Sequence, residues 1–541
     1  MIPDAGKVLS RCTVGLLYRR AFIMAEPLVL TFDIGTQSMR GLIDTATGDF
    51  VDFCQVKYDE PYFSVHNGWA EQKPDFYFDI MCNVANTLAG RNPEAFRQLC
   101  AVTVTVIRDT TLCLDGDNKP LRDIILWLDK REAEYTDEFG FLKTAVFKLV
   151  DMYDSAIIQF KASVGNWLMQ NEPDVWAKTE KYVMLPAYLN WKLTGNLVDS
   201  VANIIGHVPF DYKNRRWMSK NGLTRKICDI PPEKLPKLVN SGEVVGGITH
   251  EASVLTGIPE GLPLIATGSD KGCETVGLSV LEPGKAAISF GTTATVQFTV
   301  KKYFEPQRFM PAYPAVPNDR FNPEIQIYRG YWMLSWFIKE FGQLECEQAK
   351  QLGCVPEEIF NSHLADVPPG CNGLVLQPYW TPGITIPNAH GTIVGFTDVH
   401  TKEHLYRAII EGVGFALMDA LYTMERRSKT KVTELYVGGG GAQSDEICRI
   451  TADMFGLPVK RIQTHEACAL GSSMAAFIHE GVYASYEDAV RGMIREGTVF
   501  EPDMCVHEIY KRLYAEVYTG IYPRLLPLYK KLNNMKRSGK L

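Results

Sequence analysis

The chain has 541 residues and a formal net charge of -7, with 46% hydrophobic and 22% charged residues. This length exceeds what one hydrophobic core usually serves, so we expect two domains of a soluble globular protein. The acidic balance, without any Lys/Arg block, argues against nucleic acid or a membrane surface as a partner, and no apolar stretch approaches the ~20 residues that cross a bilayer. The 13 cysteines are scattered without a C-x-x-C pair, which favours a reducing cytoplasm over a disulfide framework or a zinc site.

Residues 1–25 are predicted to be an N-terminal extension. They carry four basic residues, Lys7, Arg11, Arg19 and Arg20, and one acid. Met24 stands directly before the first predicted strand, so an upstream start codon is the favoured interpretation. A transit-like leader or an artificial extension is the alternative.

Strand and helix patterns follow one another through the first half of the chain. The apolar run Leu28–Ile34 predicts a strand that resumes at Gly41–Ile43 after a polar turn, and the alternation in Val51–Val56 predicts the third strand of a meander. Pro74 opens a helix predicted to end near Leu88. Further predicted strands are Ala101–Ile107 and Thr111–Leu114, and helical patterns follow to about Thr194.

The second half repeats the opening plan. A strand is predicted at Pro263–Thr267, and the runs Ala286–Phe290 and Thr295–Thr299 flank a Gly-Thr turn as the first two strands do. We therefore predict two related domains, residues 26–262 and 263–541, with the boundary near 258–266. Residues 301–327, rich in Pro, Asn and aromatic residues, are expected to be irregular.

A strand, a glycine turn and a helix are predicted near the end of this half. The strand is Glu434–Val437, the turn is Gly438 to Gly441, and the helix is Ala442–Gly456 with Ser444 as its cap. Glycines at this turn would let a flat ring lie against the backbone, although a strand-to-helix turn can need glycine for its dihedral angles alone.

The two Gly-Thr turns are candidate phosphate sites. Glycine allows the backbone to approach a phosphate, and neighbouring hydroxyl and N–H groups can donate to it. Asp33, at the end of the first strand, is a candidate Mg²⁺ ligand, because this ion is usually bound by one or two carboxylates and keeps several waters. The candidates are Gly35, Thr36, Gln37, Ser38 and Arg40 in the first turn and Gly291 and Thr292 in the second. Each turn alone is also compatible with an ordinary polar hairpin, but two turns facing one cleft could grip the β- and γ-phosphates from both sides.

Asp270 is the candidate general base. It follows directly on the predicted strand between the two domains, within Gly268-Ser269-Asp270. A carboxylate in a cleft can accept the proton that an acceptor hydroxyl loses during phosphoryl transfer. A lone aspartate in a turn is more often a helix cap, so the prediction of a base depends on the place of Asp270 between the two domains.

Several motifs together resemble the FGGY family of carbohydrate kinases, from about residue 28 to residue 500. They are Asp33-Ile34-Gly35-Thr36, Gly68-Trp69-Ala70-Glu71-Gln72, Trp127-Leu128-Asp129, Asn171-Glu172-Pro173, and Gly391 to Phe396 followed by His404 to Glu411. The resemblance implies an α/β fold of two actin-like (ribonuclease H-like) domains around a cleft, the first on the substrate side and the second on the nucleotide side. It implies ATP and Mg²⁺ as cofactors, Asp270 as catalytic base, Asp33 and Asp270 near the metal, phosphate contacts at Thr36 and Thr292, and adenosine packing near Gly440, Gly441 and Ala442.

The substrate is predicted to be a small sugar or polyol. Arg108 and Asp109 could clamp adjacent hydroxyls, and Trp127 could form a flat apolar wall, although Arg108–Asp109 could also be a structural ion pair. The middle of the chain resembles xylulokinases, which favours a ketopentose such as xylulose. The Arg-Asp pair resembles glycerol kinases and quorum-signal kinases, and Lys271 after Asp270 departs from the Asn or Gln expected there.

Two other classes of protein stay open at this point. One is a non-catalytic relative that senses a sugar or a nucleotide, and the other is an actin- or chaperone-like ATPase with a protein partner. The expected location is the cytoplasm, and a homodimer is allowed.

Overall fold

The computed structural model describes residues 26–149, 152–220, 222–307, 310–383 and 385–539. The predicted extension at residues 1–25 lies outside the described residues. No helix within the described ranges is both long enough and apolar enough to cross a membrane.

The first domain is built on a six-stranded sheet in the order β3-β2-β1-β4-β6-β5. Its strands are β1 (Leu28–Ile34), β2 (Ser38–Thr45), β3 (Phe50–Lys57), β4 (Leu99–Val106), β5 (Val244–Gly247) and β6 (Pro263–Ile265). β1, β2 and β3 form the predicted antiparallel meander, and β4 and β6 continue the sheet in parallel. Every residue of β1 is buried, which explains why its sequence is almost continuously apolar.

The second domain repeats this topology. Its sheet has the order β9-β8-β7-β10-β11-β12, with β7 (Lys285–Phe290), β8 (Ala294–Gln297), β9 (Glu324–Ile327), β10 (Glu434–Gly438), β11 (Val459–Ile462) and β12 (Glu496–Phe500). As in the first domain, three antiparallel strands are followed by two parallel strands and an antiparallel edge. The predicted internal duplication and the predicted fold class are confirmed.

Short strands form smaller sheets outside the two central ones. A four-stranded sheet orders Glu71–Gln72, Ile124–Ile125, Thr111–Leu114 and Lys181–Met184. The two-stranded sheets pair Val198–Ser200 with Lys237–Val239, Phe210–Asp211 with Arg216–Trp217, Tyr313–Pro314 with Phe321–Asn322, and Val375–Gln377 with Thr392–Val394.

Helices cover the sheets with their apolar faces. Phe76–Arg91 buries Tyr77, Met81, Val84 and Leu88, which recur at the helical spacing. The other first-domain helices are Pro93–Arg97, Gly140–Leu149, Tyr153–Ala162, Val164–Asn171, Pro173–Lys178, Leu185–Thr194 and His250–Thr256. The later helices are Trp332–Phe341, Gln343–Leu352, Pro356–Ser362, Lys402–Ser428, Asp445–Phe455, Ala467–His479, Tyr486–Met493, Met504–Leu513 and Thr519–Arg537.

Two helices cross where the domains meet. We call Asp270–Gly277 the linking helix and Ala467–His479 the facing helix. A Cβ atom on Gly277 would lie 1.8 Å from the carbonyl oxygen of Ala467, and one on Gly471 would lie 2.0 Å from that of Cys273. The facing helix also packs on β1 and β4 of the first sheet, so it contacts both halves of the chain.

The structure corrects two expectations. β6 was expected to open the second domain, but it pairs in parallel with β4, through Leu264 with Val102 and Ile265 with Thr103. A division into 26–262 and 263–541 would therefore cut the first sheet. Residues 301–327 were expected to be irregular, but Glu324–Ile327 is a strand of the second sheet, as its alternating Glu-Ile-Gln-Ile pattern allows.

Candidate active site

A cavity of about 810 Å³ lies between the domains. It is lined from the first domain by the turn after β1 and from the second by the turn after β7. The predicted site residues in its wall are Gly35, Thr36, Gln37, Ser38, Arg40, Arg108, Asp109, Trp127, Asp270, Gly291 and Thr292. The structure therefore brings residues separated by more than two hundred positions to one cleft.

The two Gly-Thr turns have the predicted hairpin geometry. The N–H of Gly35 donates to the carbonyl of Ser38 at 2.9 Å, which closes the turn between β1 and β2. The indole N–H of Trp127 donates to the Thr36 hydroxyl at 3.0 Å. Gly291 lies between β7 and β8 and its carbonyl accepts from the N–H of Tyr331. Each turn thus offers backbone and hydroxyl groups to the cavity from its own domain.

Asp33 lies at the inner end of β1 beside Arg40. Arg40 is 3.6 Å from Asp33 Oδ2 and 3.5 Å from Glu466 Oε2 of the second domain. Burial raises the pKa of Asp33 to about 6, Arg40 opposes the rise, and the charges of Glu466 and Asp270 add to it. Because two other carboxylates repel the negative charge of this buried carboxylate, binding of a cation beside it would be favourable.

The donor set fits Mg²⁺ better than a closed metal cage. Asp270 lies in the wall of the cavity, whereas Asp33 is not part of that wall, but the charge of Asp270 contributes to the raised pKa of Asp33. Within the described residues, no cluster of three or more His, Cys, Asp or Glu is arranged to hold a metal ion. Mg²⁺ usually takes one or two carboxylates, keeps several waters and uses substrate phosphates as ligands, and two carboxylates satisfy that pattern.

Asp270 begins the linking helix, directly after Ser269. Ser269 caps the helix by accepting from the N–H of Gly272, so Asp270 is not the helix cap. Asp270 Oδ1 lies 3.6 Å from Arg108 Nε and accepts from its neighbour's backbone N–H at 2.8 Å. Burial raises the pKa of Asp270, while Arg108 and Lys271 oppose the rise, and a raised pKa suits a carboxylate that has to accept a proton.

Arg108 and Asp109 do not form a pair with each other. Arg108 donates two hydrogen bonds to the Glu324 carboxylate at 3.1 and 3.0 Å. Asp109 accepts from the backbone N–H of His207 at 3.1 Å and lies 2.7 Å from its Nδ1. Burial raises the pKa of Asp109, but His207 more than offsets this, so that pKa lies below its usual value. Both residues still line the cavity, each held by a separate partner.

The glycine turn after β10 packs against the last residue of β7, directly before the second Gly-Thr turn. Gly439 has a φ of 81°, and Cβ atoms on Gly439 and Gly441 would approach Phe290, the last residue of β7, within 3 Å. Gly440 and Gly441 begin a short 3₁₀ turn, Gly440–Gln443, and Ala442 in it is buried. The three residues predicted to contact adenosine are not in the wall of the 810 Å³ cavity, and their contact with adenosine stays a prediction.

The sequence did not predict which side chains pair with Arg108, Asp109 and Lys271. Glu324 was hidden in a segment expected to be irregular, and His207 lies in a short connection without a regular pattern. Glu274 follows Lys271 at the i, i+3 spacing of a helical ion pair, and that spacing was the signal available for it.

Known proteins are similar to this chain over nearly its whole length. The model of the FGGY family of carbohydrate kinases, N-terminal domain, matches residues 28–277, and that of the C-terminal domain matches residues 286–480. The chain is 25% identical to a xylulose kinase of Lactococcus lactis over 91% of this chain and 96% of the relative. It is 27% identical to a glycerol kinase of Nitratidesulfovibrio vulgaris over 88% of this chain and 94% of the relative.

A solved structure has the same fold. The crystal structure of xylulose kinase from Rhodospirillum rubrum superimposes with a TM-score of 0.78, covering 93% of this chain and 100% of that chain at 24% identity. The two family models divide the chain between residues 277 and 286, which places β6 and the linking helix with the first domain. On these matches and this fold, the chain belongs to the FGGY family of carbohydrate kinases.

Proposed function

We propose that this carbohydrate kinase transfers the γ-phosphoryl group of ATP to a terminal hydroxyl of a small sugar or polyol, with a ketopentose such as xylulose favoured. One observation carries the proposal: Asp270 lies in the wall of the same cavity as both Gly-Thr turns. In-line phosphoryl transfer uses donors that hold the phosphates and a residue that orients or deprotonates the acceptor, and these residues can supply both.

Each group has a distinct role in this proposal. Gly35, Thr36, Gln37, Ser38 and Arg40 contact the phosphates from one side, and Gly291 and Thr292 contact them from the other. Asp33 and Asp270 would hold Mg²⁺, which when bound would supply positive charge to the β- and γ-phosphates. Asp270 accepts the proton of the acceptor hydroxyl. Gly440, Gly441 and Ala442 are proposed to pack against adenosine.

The acceptor is proposed to bind beside Arg108, Asp109 and Trp127. Trp127 is oriented by its hydrogen bond to Thr36, and its ring offers an apolar wall for C–H groups. Arg108 and Asp109 are each held by a partner, Glu324 and His207, so they are pre-oriented for hydroxyl groups. An acceptor with adjacent hydroxyls could place one hydroxyl at the cationic Arg108 and the next at the anionic Asp109.

Glycerol or a related short polyol is the second candidate acceptor. The Arg108–Asp109 sequence, which resembles the Arg-acid pair of glycerol kinases, favours it, and a glycerol kinase is among the similar proteins. The two candidates differ in the number of hydroxyl groups that the acceptor presents, so a panel of acceptors separates them.

The test is ADP release across glycerol, erythritol, both xylulose enantiomers, ribulose and gluconate. We expect Asp270→Asn to lower turnover on the best acceptor by about 10²–10⁴-fold with nearly unchanged ATP affinity. Asp49→Asn, which alters an exposed carboxylate paired with Arg495, is the matched control and should keep wild-type turnover. Near-normal turnover of Asp270→Asn would refute the assignment of the base, and ligand binding without ADP release from any acceptor would favour the non-catalytic sensing class.

A further inference from the structure

A buried charged cluster beside Asp270 has no role in the function proposed above. Lys271 Nζ donates to Glu274 Oε2 at 2.7 Å and to the Ser289 hydroxyl at 2.6 Å. The Ser289 hydroxyl in turn donates to Glu274 Oε1 at 2.9 Å. Glu274 and Ser289 are buried, and Lys271 lies in the wall of the central cavity. The three residues therefore form a closed ring of hydrogen bonds with the lysine on the cavity side.

The ammonium group of Lys271 has capacity for one more acceptor. An ammonium carries three N–H donors, and Glu274 and Ser289 accept two of them. The side chain keeps 19% of its surface exposed, although the ion pair and burial hold it in one place. Among the described residues, Glu274 and Ser289 are the two hydrogen-bond acceptors of the ammonium group, so its third donor can bind a ligand in the cavity.

The cluster lies on the phosphate side of Asp270. Ser289 stands two residues before Gly291, and its hydroxyl is 3.9 Å from the position of a Cβ atom on that glycine. Glu274 Oε1 is 2.7 Å from the position of a Cβ atom on Gly438, at the start of the glycine turn after β10. The cluster therefore contacts the strands that carry both glycine turns of the second domain, whereas Arg108 faces Asp270 from the acceptor side.

We propose that Lys271 binds the phosphoryl group that is transferred, with Glu274 and Ser289 as positioning residues that hold its ammonium. This deepens the proposed function and rests on it. The acceptor oxygen bonds to the γ-phosphorus as the bond from that phosphorus to the bridging oxygen of ADP breaks. The acceptor proton passes to Asp270, and Lys271 keeps its protons and stabilises the charge on the equatorial oxygens.

A purely structural role for Lys271 makes a different prediction. In that case the lysine only neutralises the buried Glu274, and its loss should lower stability without distinguishing between nucleotides. A lysine that contacts the terminal phosphoryl group should instead distinguish a nucleoside triphosphate from a diphosphate. Binding of the two nucleotides is therefore the decisive readout.

The experiment compares Lys271→Gln with the wild type by calorimetric titration with ADP and with the non-hydrolysable analogue AMP-PNP. We expect Lys271→Gln to bind AMP-PNP about tenfold more weakly while ADP binding changes little, the loss expected for one charge-assisted hydrogen bond. Turnover on the best acceptor should fall by about 10²–10³-fold. Lys285→Gln, on the same strand as Ser289 but paired with Glu434, is the matched control for loss of a charge.

Two further variants keep the test valid if Lys271→Gln folds poorly. Lys271→Arg keeps the charge and should retain preference for AMP-PNP over ADP, and Ser289→Ala frees the ammonium from one partner and should show an intermediate loss. Equal weakening of both nucleotides, or no change for either, would overturn the role of Lys271. Absence of ADP release by the wild type from every acceptor would instead overturn the proposed function, because the binding comparison does not depend on turnover.

Discussion

The ion pair between Arg108 and Glu324 joins the two domains beside the cavity. Arg108 follows β4 of the first sheet, and Glu324 begins β9 of the second. The side chain of Arg108 is 13% exposed and that of Glu324 is 1% exposed, so water competes little for the pair. We predict that Glu324→Gln destabilises the ligand-free protein through this single contact.

The size of the effect follows from what glutamine retains. Removing one partner of a buried ion pair costs about 3–5 kcal/mol because the other charge is left without compensation. Glutamine keeps one carbonyl acceptor for the guanidinium, and Asp270 remains a counter-charge 3.6 Å from Arg108 Nε. We therefore expect about half of that cost, about 2 kcal/mol.

The assay measures the free energy of unfolding of the ligand-free protein in urea. The dependence of this free energy on urea concentration should be the same in all variants, which shows that they unfold from comparable states. Asp49→Asn is the matched control, because Asp49 and Arg495 also pair across the two halves of the chain but are about half exposed. An exposed pair should contribute less than about 1 kcal/mol. Arg108→Met and the double variant with Glu324→Gln complete a double-mutant cycle.

Additivity of the two substitutions is the result that would refute this reasoning. Residues that share a contact usually show an interaction free energy of about 0.5–3 kcal/mol. If the double variant lost the sum of the two single losses, the pair would not couple the domains. A loss in Glu324→Gln no larger than in Asp49→Asn would contradict the assumption that burial strengthens this contact.

Two further predictions concern stability and the domain contact. Burial raises the pKa of Asp44 to about 8 from 3.8, against the hydrogen bond from Thr31. The folded state therefore holds a proton that the unfolded state releases, so the unfolding free energy falls as pH rises above 3.8 and the fall is complete once pH passes about 8. Asp44→Asn should remove a decline of about 2–5 kcal/mol in unfolding free energy between pH 5 and 9, and an unchanged pH profile would contradict this. Gly277→Ala should destabilise the protein by about 3 kcal/mol or more, because its Cβ atom would meet the backbone of Ala467 at 1.8 Å. Gly272→Ala, where the closest atom would be 3.5 Å away, is the control on the same helix, and equal melting temperatures of the two variants would show that the helices separate without cost.

Local patterns predicted the elements that bear the two Gly-Thr turns and the glycine turn after β10. The strand Leu28–Ile34, the hairpin after Phe290 and the helix capped by Ser444 are all where the sequence placed them, within a few residues. Apolar periodicity, glycine turns and cap residues act over fewer than about fifteen residues, so they can be read without knowing the fold. The same holds for Asp33, near the end of β1, and for Asp270, which follows β6 at the start of the linking helix.

What the sequence by itself determined, then, was the two hairpins, their duplication and the chemical character of the residues in their turns. The tertiary structure decided which sheet β6 joins, and it decided that Arg108 pairs with Glu324 and Asp109 with His207. These contacts join residues about one hundred to two hundred positions apart. Local propensity carries no information on them, because the partner of a strand or a charge is selected by the packing of the whole domain.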